Sequence, residues 1–204
     1  MRKATMIIVD NFYENPWQVR EEAMKKEYTL PGAFPYPGVI STNESEMTDW
    51  ANKKIGEILE INPDHILKRS HYGCYRMISE GNIPQVYIHT HRLRWTGLVY
   101  LNPPADCQGG LKFYRSKKFG AYYGYQDELK YLETQELTES KDLKWQQEEL
   151  ETEDGWEMTG FVGMAFNRLV LFNASLFHSF TPGFGNSVET NRMTQNFDFD
   201  IHAN

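Results

Sequence analysis

Two histidines stand two residues apart in Val86-Tyr-Ile-His-Thr-His91, a run rich in β-branched and aromatic residues that reads as strand. Alternate side chains of a strand leave on one face, so His89 and His91 project together at a spacing suited to metal ligation. A third histidine, His178, lies in a second strand-like run, Leu176 to Thr181. A fold that sets this run opposite the first gathers three imidazoles. That donor set suits a first-row ion such as Fe(II), Ni, Cu or Zn, with positions left for exogenous ligands. The competing reading is a hydrogen-bonded surface pair, the commoner fate of His-x-His at a strand end. Fourteen residues after His178, Arg192 opens the alternating run Arg192-Met-Thr-Gln-Asn-Phe-Asp-Phe199. Arg192 and Thr194 share a face there, and a guanidinium fork beside a hydroxyl suits a carboxylate held by two hydrogen bonds. An anionic ligand would explain a buried arginine, which is costly without a partner; an exposed arginine on an edge strand is the alternative.

Other chemistries lack their signatures. There is no glycine-rich phosphate loop leading into a helix and no Gly-x-Ser-x-Gly elbow, which argues against nucleotide hydrolysis and serine-hydrolase chemistry. The two cysteines, Cys74 and Cys107, allow at most one disulfide and no cysteine-rich metal cluster, and they read as small packed hydrophobes. The apolar run Met6 to Val9 ends at Asp10, too early for a signal-peptide core or a membrane span. A soluble, cytoplasmic protein is expected.

The elements that must position these residues follow from the pattern. Ile7 to Val9 reads as a strand, and Asn15-Pro16 as a helix start, with Asn capping and Pro at the first helical position. That helix should run to about Lys26. The Pro- and Gly-punctuated stretch Tyr28 to Ser41 should be loop. A second helix is expected from about Thr48, with Trp50, Ile55, Ile58 and Leu59 on helical spacing, ending before Asn62-Pro63. From Tyr72 onward the runs Tyr72 to Ile78, Gln85 to His89, Trp95 to Leu101, Leu111 to Tyr114, Met164 to Phe172, Leu176 to Thr181 and Arg192 to Ile201 read as strands. Seven strands behind two helices predict a mainly β chain of α+β type: one jelly-roll barrel over residues 1–204, buttressed by N-terminal helices.

At 204 residues, with 40% hydrophobic residues, the chain can bury a substantial core without staples. Its net charge of −7 is concentrated in residues 126–154, which hold 11 Asp and Glu against 3 Lys. The remainder is near neutral, so the broad basic footprint of a nucleic-acid binder is absent. A small basic groove around Arg92, Arg94, Arg115, Lys117 and Lys118 competes with the reading of scattered surface cations. Residues 116–158 read as a polar, acidic insert or lid, with a helix around Lys141 to Leu150. Its aromatic residues, Tyr122, Tyr123, Tyr125, Tyr131, Trp145 and Trp156, suggest that part of it docks.

The order of fragments resembles the Fe(II)- and 2-oxoglutarate-dependent oxygenases, in particular the prolyl-hydroxylase-like branch and a poorly characterised bacterial group within it. The fragments are Val86 to His91, Gly97-Leu-Val-Tyr-Leu-Asn-Pro-Pro104, Cys107-Gln-Gly-Gly-Leu-Lys-Phe-Tyr114, Phe166 to Phe172, Leu176-Phe-His-Ser179 and Asn191-Arg-Met-Thr194. The resemblance implies a double-stranded β-helix, the oxygenase form of the jelly roll. It implies metal ligands at His89, position 91 and His178, with Arg192, assisted by Thr194, on the distal carboxylate of 2-oxoglutarate. Tyr100 would donate to the same cosubstrate or belong to the core. Fe(II) and 2-oxoglutarate are the implied cofactors, with ascorbate as reductant, and the substrate would be a small molecule or peptide. The family motif has Asp or Glu at the second ligand, where this sequence has His91. A neutral imidazole there leaves the ion one charge more positive and fills the position that a halide would need. Three readings stay open: a working three-histidine oxygenase, an oxygenase fold kept as a binding module, and a cupin-like three-histidine dioxygenase that does not use 2-oxoglutarate.

Overall fold

The computed structural model describes residues 5–31, 37–81, 88–91, 93–117, 120, 122–123 and 153–202. Asn15 and Pro16 start a helix as expected: α1 spans Pro16–Lys25, and Asn15 Oδ1 accepts from the Gln18 N–H. The second helix, α2, spans Thr48–Leu59 and stops at Glu60 in the left-handed conformation. Eleven strands are described: β1 (Met6–Val9), β2 (Tyr28–Thr29), β3 (Val39–Glu44), β4 (Ile66–Lys68), β5 (Cys74–Ile78), β6 (Trp95–Tyr100), β7 (Gly110–Ser116), β8 (Trp156–Gly163), β9 (Leu169–Asn173), β10 (His178–Phe180) and β11 (Arg192–Ile201).

They do not close into the expected barrel. Among the described residues they form two antiparallel sheets of jelly-roll type, with no strand pairing that joins one sheet to the other. The large sheet runs β1-β9-β6-β11-β5-β3-β2, with β4 pairing beside β5 on the far half of β11. The small sheet runs β10-β7-β8, and His89 bridges to His178 on the open side of β10.

Strand alternation divides the molecule into layers. Along β6, Trp95 and Val99 face a core shared with Val19 and Ala23 of α1 and Ala51 and Ile55 of α2, so the helices do buttress one outer face. Leu98 and Tyr100 face the opposite way, into a core with Leu111, Phe113, Val170 and Phe172 between the sheets. Covering both faces explains why every residue of β6 is buried; each large side chain buried there contributes about 1.5–3 kcal/mol.

Three other expectations are corrected. The stretch read as loop, Tyr28 to Ser41, contains β2 and the start of β3; the second half of β3 is polar and exposed, so its sequence lacks a strand's apolar signature. The run Met164 to Phe172 is strand only from Leu169, because a turn with Asn167 at φ 61° precedes it. The expected insert ends in β8, which begins at Trp156. The expected helix around Lys141 to Leu150 lies outside the described residues. Cys74 and Cys107 are free, and among the described residues no helix is long and apolar enough to cross a membrane.

Candidate metal centre

The small sheet brings the three histidines together. His89 and His178 exchange backbone hydrogen bonds of 2.9 and 3.0 Å, an antiparallel pair whose side chains leave on one face. His178 is also the cross-strand partner of Phe113 on β7. His91, two residues on, is held by its N–H on the Ala174 carbonyl at 2.8 Å. The ring centroids lie 4.4 Å (His89 to His178), 4.9 Å (His89 to His91) and 5.2 Å (His91 to His178) apart.

One ligand atom from each ring falls within 4.8 Å of the others. Nitrogens sharing an ion at about 2.1 Å can be no more than about 4.2 Å apart, so the widest pair must close by roughly half an ångström, within reach of a small side-chain rotation. Three imidazole nitrogens fit a first-row transition ion and offer little to Mg²⁺ or Ca²⁺, which require oxygen.

The ring nitrogens are also in a suitable state. His178 Nδ1 lies 2.7 Å from the Leu176 carbonyl, which can only accept, so Nδ1 carries the proton and Nε2 presents its lone pair. Burial holds the His178 pKa well below the ordinary imidazole value, reinforced by His89 and His91. His91 is pushed down to about 4 by burial and then by the charge of Arg76. Both rings are neutral at pH 7, the form that binds metal.

The histidines open onto a cavity of about 580 Å³ between the sheets, also lined by Leu98, Leu111, Phe172, Phe180, Asn196 and Asp198. Arg192, Tyr100 and Thr194 do not line it. They cluster behind Phe180, which is common to both places: its ring lines the cavity and lies 5.2 Å from the Arg192 guanidinium carbon. Arg192 is 2% exposed, and its Nε and Nη2 have no hydrogen-bond partner. Tyr100, whose ring lies 5.7 Å from the same guanidinium, has a buried hydroxyl without a partner. Burial raises the Tyr100 pKa, so this hydroxyl keeps its proton as a donor. Thr194 donates to Asn196 Oδ1 at 2.8 Å, which commits its proton.

Residues not singled out from the sequence fix this arrangement. Asn102, fully buried, donates to the Asn191 carbonyl at 2.9 Å and accepts from the Met193 N–H at 2.7 Å, bracketing Arg192 on both sides. Arg20 reaches from α1 to the carbonyls of Leu101 and Glu189. The only signal for Asn102 was its place in the run Asn102-Pro-Pro104; nothing in the sequence around Arg20 points to this role. Gly109, at φ 68°, begins the turn into β7, and a Cβ there would meet Thr181 Oγ1 at 2.0 Å. Glycine is therefore required at this turn. In the expected basic groove, Arg115 pairs with Glu157 and Lys117 donates to the Asp154 carbonyl.

A jelly-roll type sandwich with three imidazoles lining its cavity is the class that fold and site define together. The chain belongs to a family of unknown function (DUF6445), whose model matches residues 1–196. No curated protein matches it. Among solved structures it is similar to the crystal structure of HygX from Streptomyces hygroscopicus with nickel and 2-oxoglutarate bound. That likeness covers 97% of this chain and 83% of HygX at 13% identity, with a TM-score of 0.47.

Proposed function

We propose that this protein is a metal- and 2-oxoglutarate-dependent oxygenase of the hydroxylase type, acting on a small molecule or peptide and built on a double-stranded β-helix. The strand order supports that form of the jelly roll: β9-β6-β11-β5 faces the His89 segment, β10, β7 and β8, so successive strands from β5 alternate between sheets except at the β7 to β8 connection. His89, His91 and His178 would hold Fe(II). Arg192 and Tyr100 would receive the distal carboxylate of 2-oxoglutarate, with Thr194 shaping the pocket through Asn196.

The observation that carries this reading is the set of orphaned donors behind Phe180, whose side chain lines the cavity with the histidines. Arg192 Nε and Nη2 form the side-on edge of the guanidinium, and with the Tyr100 hydroxyl they offer three buried N–H and O–H groups without an acceptor. Burial lowers the Arg192 pKa, opposed by Tyr100, and no ion pair to Arg192 occurs among the described residues. An unpaired buried charge costs several kcal/mol, and a carboxylate would satisfy all three donors. His178 and Phe180 share a face of β10 about 7 Å apart, and the guanidinium lies 5.2 Å from the Phe180 ring.

When bound, Fe(II) and 2-oxoglutarate supply oxygen activation coupled to decarboxylation, yielding succinate and CO₂ and one oxygen atom for the substrate. The chain's part is to present neutral imidazoles, orient the cosubstrate through Arg192, and exclude bulk water with Leu98, Leu111, Phe172 and Phe180.

The test is incubation with Fe(II), ascorbate, O₂ and isotopically labelled 2-oxoglutarate. Labelled succinate that disappears in Arg192→Ala supports the reading. Tight metal binding without succinate would instead indicate a binding module, and O₂-dependent turnover of another chelating substrate indifferent to Arg192 would indicate a dioxygenase that does not use 2-oxoglutarate.

A further inference from the structure

The wall of the cavity formed by β11 and β6 carries Thr96, Asn196 and Asp198 beside Leu98, and the rest of the lining is mixed, with Arg69, His71 and Arg76 as well as apolar Ile40, Leu111, Phe172 and Phe180. Asn196 and Asp198 project from β11 into the cavity, and Thr96 lines it as the cross-strand partner of Asp198 on β6. Asp198 is the one carboxylate among the described lining residues. Its side chain makes no hydrogen bond or ion pair of good geometry with any described residue, unlike Asp200, two positions on, which binds Arg69 and the Arg94 N–H. Thr96 is close enough to favour the Asp198 carboxylate, but its Oγ1 is buried without a well-formed hydrogen bond.

The cationic side chains of the same lining are differently placed. Arg69 is ion-paired with Asp200, and the charge of Arg76 favours the Asp198 carboxylate. A carboxylate with open acceptor positions in a site of partly apolar walls favours a cation that brings its own N–H donors.

From this placement we infer that the substrate carries a cationic nitrogen, an amine or guanidine, which docks on Asp198 with Thr96 beside it, so that Asp198 sets substrate class. This rests on reading the cavity as the oxygenase's substrate site. It assigns the histidine side of the cavity to reaction and the β11 side to recognition, and it favours compounds with a polar cationic end and a short apolar body lying against Leu98 and Phe172. Burial raises the Asp198 pKa against the pull of Thr96, Arg76, His89 and His71.

The test uses the full chain with metal removed by chelator, so that amines cannot bind through an ion. Butylamine, butanol and butyrate are titrated while the Thr96 methyl resonance is followed by NMR. The amine should shift that resonance and bind at least about tenfold more tightly than the other two, the scale of one charge-assisted hydrogen bond. Asp198→Asn should remove the preference, while Arg192→Met should leave it intact. Equal binding of butanol or butyrate, or amine binding unchanged in Asp198→Asn, would overturn the inference. A wild-type Thr96 methyl that does not respond to amine overturns it without any variant. The measurement needs neither iron nor O₂, so it stands or falls separately from the succinate assay: an oxygenase with no amine preference loses only this inference.

Discussion

His91 occupies the position at which the resembled oxygenases carry an acid, and its imidazole faces the same ion site as His89 and His178. A neutral ligand leaves more positive charge on a divalent ion than a carboxylate does, so the substitution tests what the protein has been built around. If three imidazoles are the working set, His91→Asp should still bind metal but convert 2-oxoglutarate at a reduced rate, measured as succinate per protein under saturating Fe(II). A rate increase would show that the natural residue restrains the site. At the same scale, His178→Ala should abolish metal binding in equilibrium dialysis, because it removes the ligand whose free nitrogen is fixed by the Leu176 carbonyl.

At the scale of elements, the site depends on how β11 is held against β6. Asn102 bonds to the residues on either side of Arg192, and losing it leaves a buried N–H unsatisfied, at about 1–3 kcal/mol of stability. Asn102→Ala should therefore raise the KM for 2-oxoglutarate while leaving metal affinity unchanged, whereas a purely structural loss would lower both together. Asn102→Asp, which keeps the acceptor for Met193, should recover part of the effect. The helical buttress has its own tie. Glu22 of α1 accepts from Ser45 Oγ and the Glu46 N–H, each at 2.9 Å, and lies 3.0 Å from the Tyr75 hydroxyl on β5. Burial pushes the Glu22 pKa up, but these bonds and Lys26 outweigh it and the net shift is downward. A depressed carboxylate stabilises the fold above its unfolded value near 4.5, and that contribution fades as pH falls through the lower folded value. Glu22→Gln should thus unfold more easily than wild type at pH 7, by about 1–3 kcal/mol in denaturant melts, and the gap should narrow below pH 4.5.

These elements also show how much the sequence could reveal. Residues Arg192 to Ile201 alternate so regularly that strand, length and face were all legible, as were the helix starts at Asn15-Pro16 and Thr48. Edge strands were not. The exposed Met158 and Phe161 of β8 break the alternation that marks a half-buried strand, and the polar residues of β3 look like loop. The histidine triad was legible because His89 and His91 stand two apart and His178 follows in a strand-like run; residues 85–87 of the strand expected there lie outside the described residues, and His89 makes a single bridge. The role of Asp198 was not, although it shares the alternation that gave Arg192 and Thr194. Alternation assigns a face, and only the packing of the second sheet shows that this face encloses a cavity. Asn102 and Arg20 act through backbone carbonyls and amides far away in the chain, for which sequence spacing carries no signal.

For the whole molecule, the two sheets meet in the core around Phe172, whose ring lies 4.7 Å from that of His178, so an ion at the histidines couples to global stability. A ligand that binds only the folded state stabilises it by about 2.7 kcal/mol at a hundred times its Kd. For a chain of this size that corresponds to a rise in Tm of about 5–10 °C. Thermal melts with saturating Fe(II) under anaerobic conditions, or with Ni(II) or Zn(II), should show this rise in wild type and none in His178→Ala. The central claim, however, is that the triad and Arg192 hold one cosubstrate between them, and it is tested most directly by anaerobic titration of 2-oxoglutarate into the Fe(II)-loaded protein, followed by visible absorption. A saturable charge-transfer band should appear in wild type, with an apparent Kd weakened at least about tenfold in Arg192→Met, the scale of a charge-assisted hydrogen bond. Iron that binds tightly with no such band, or a band whose titration is the same in Arg192→Met, would contradict it.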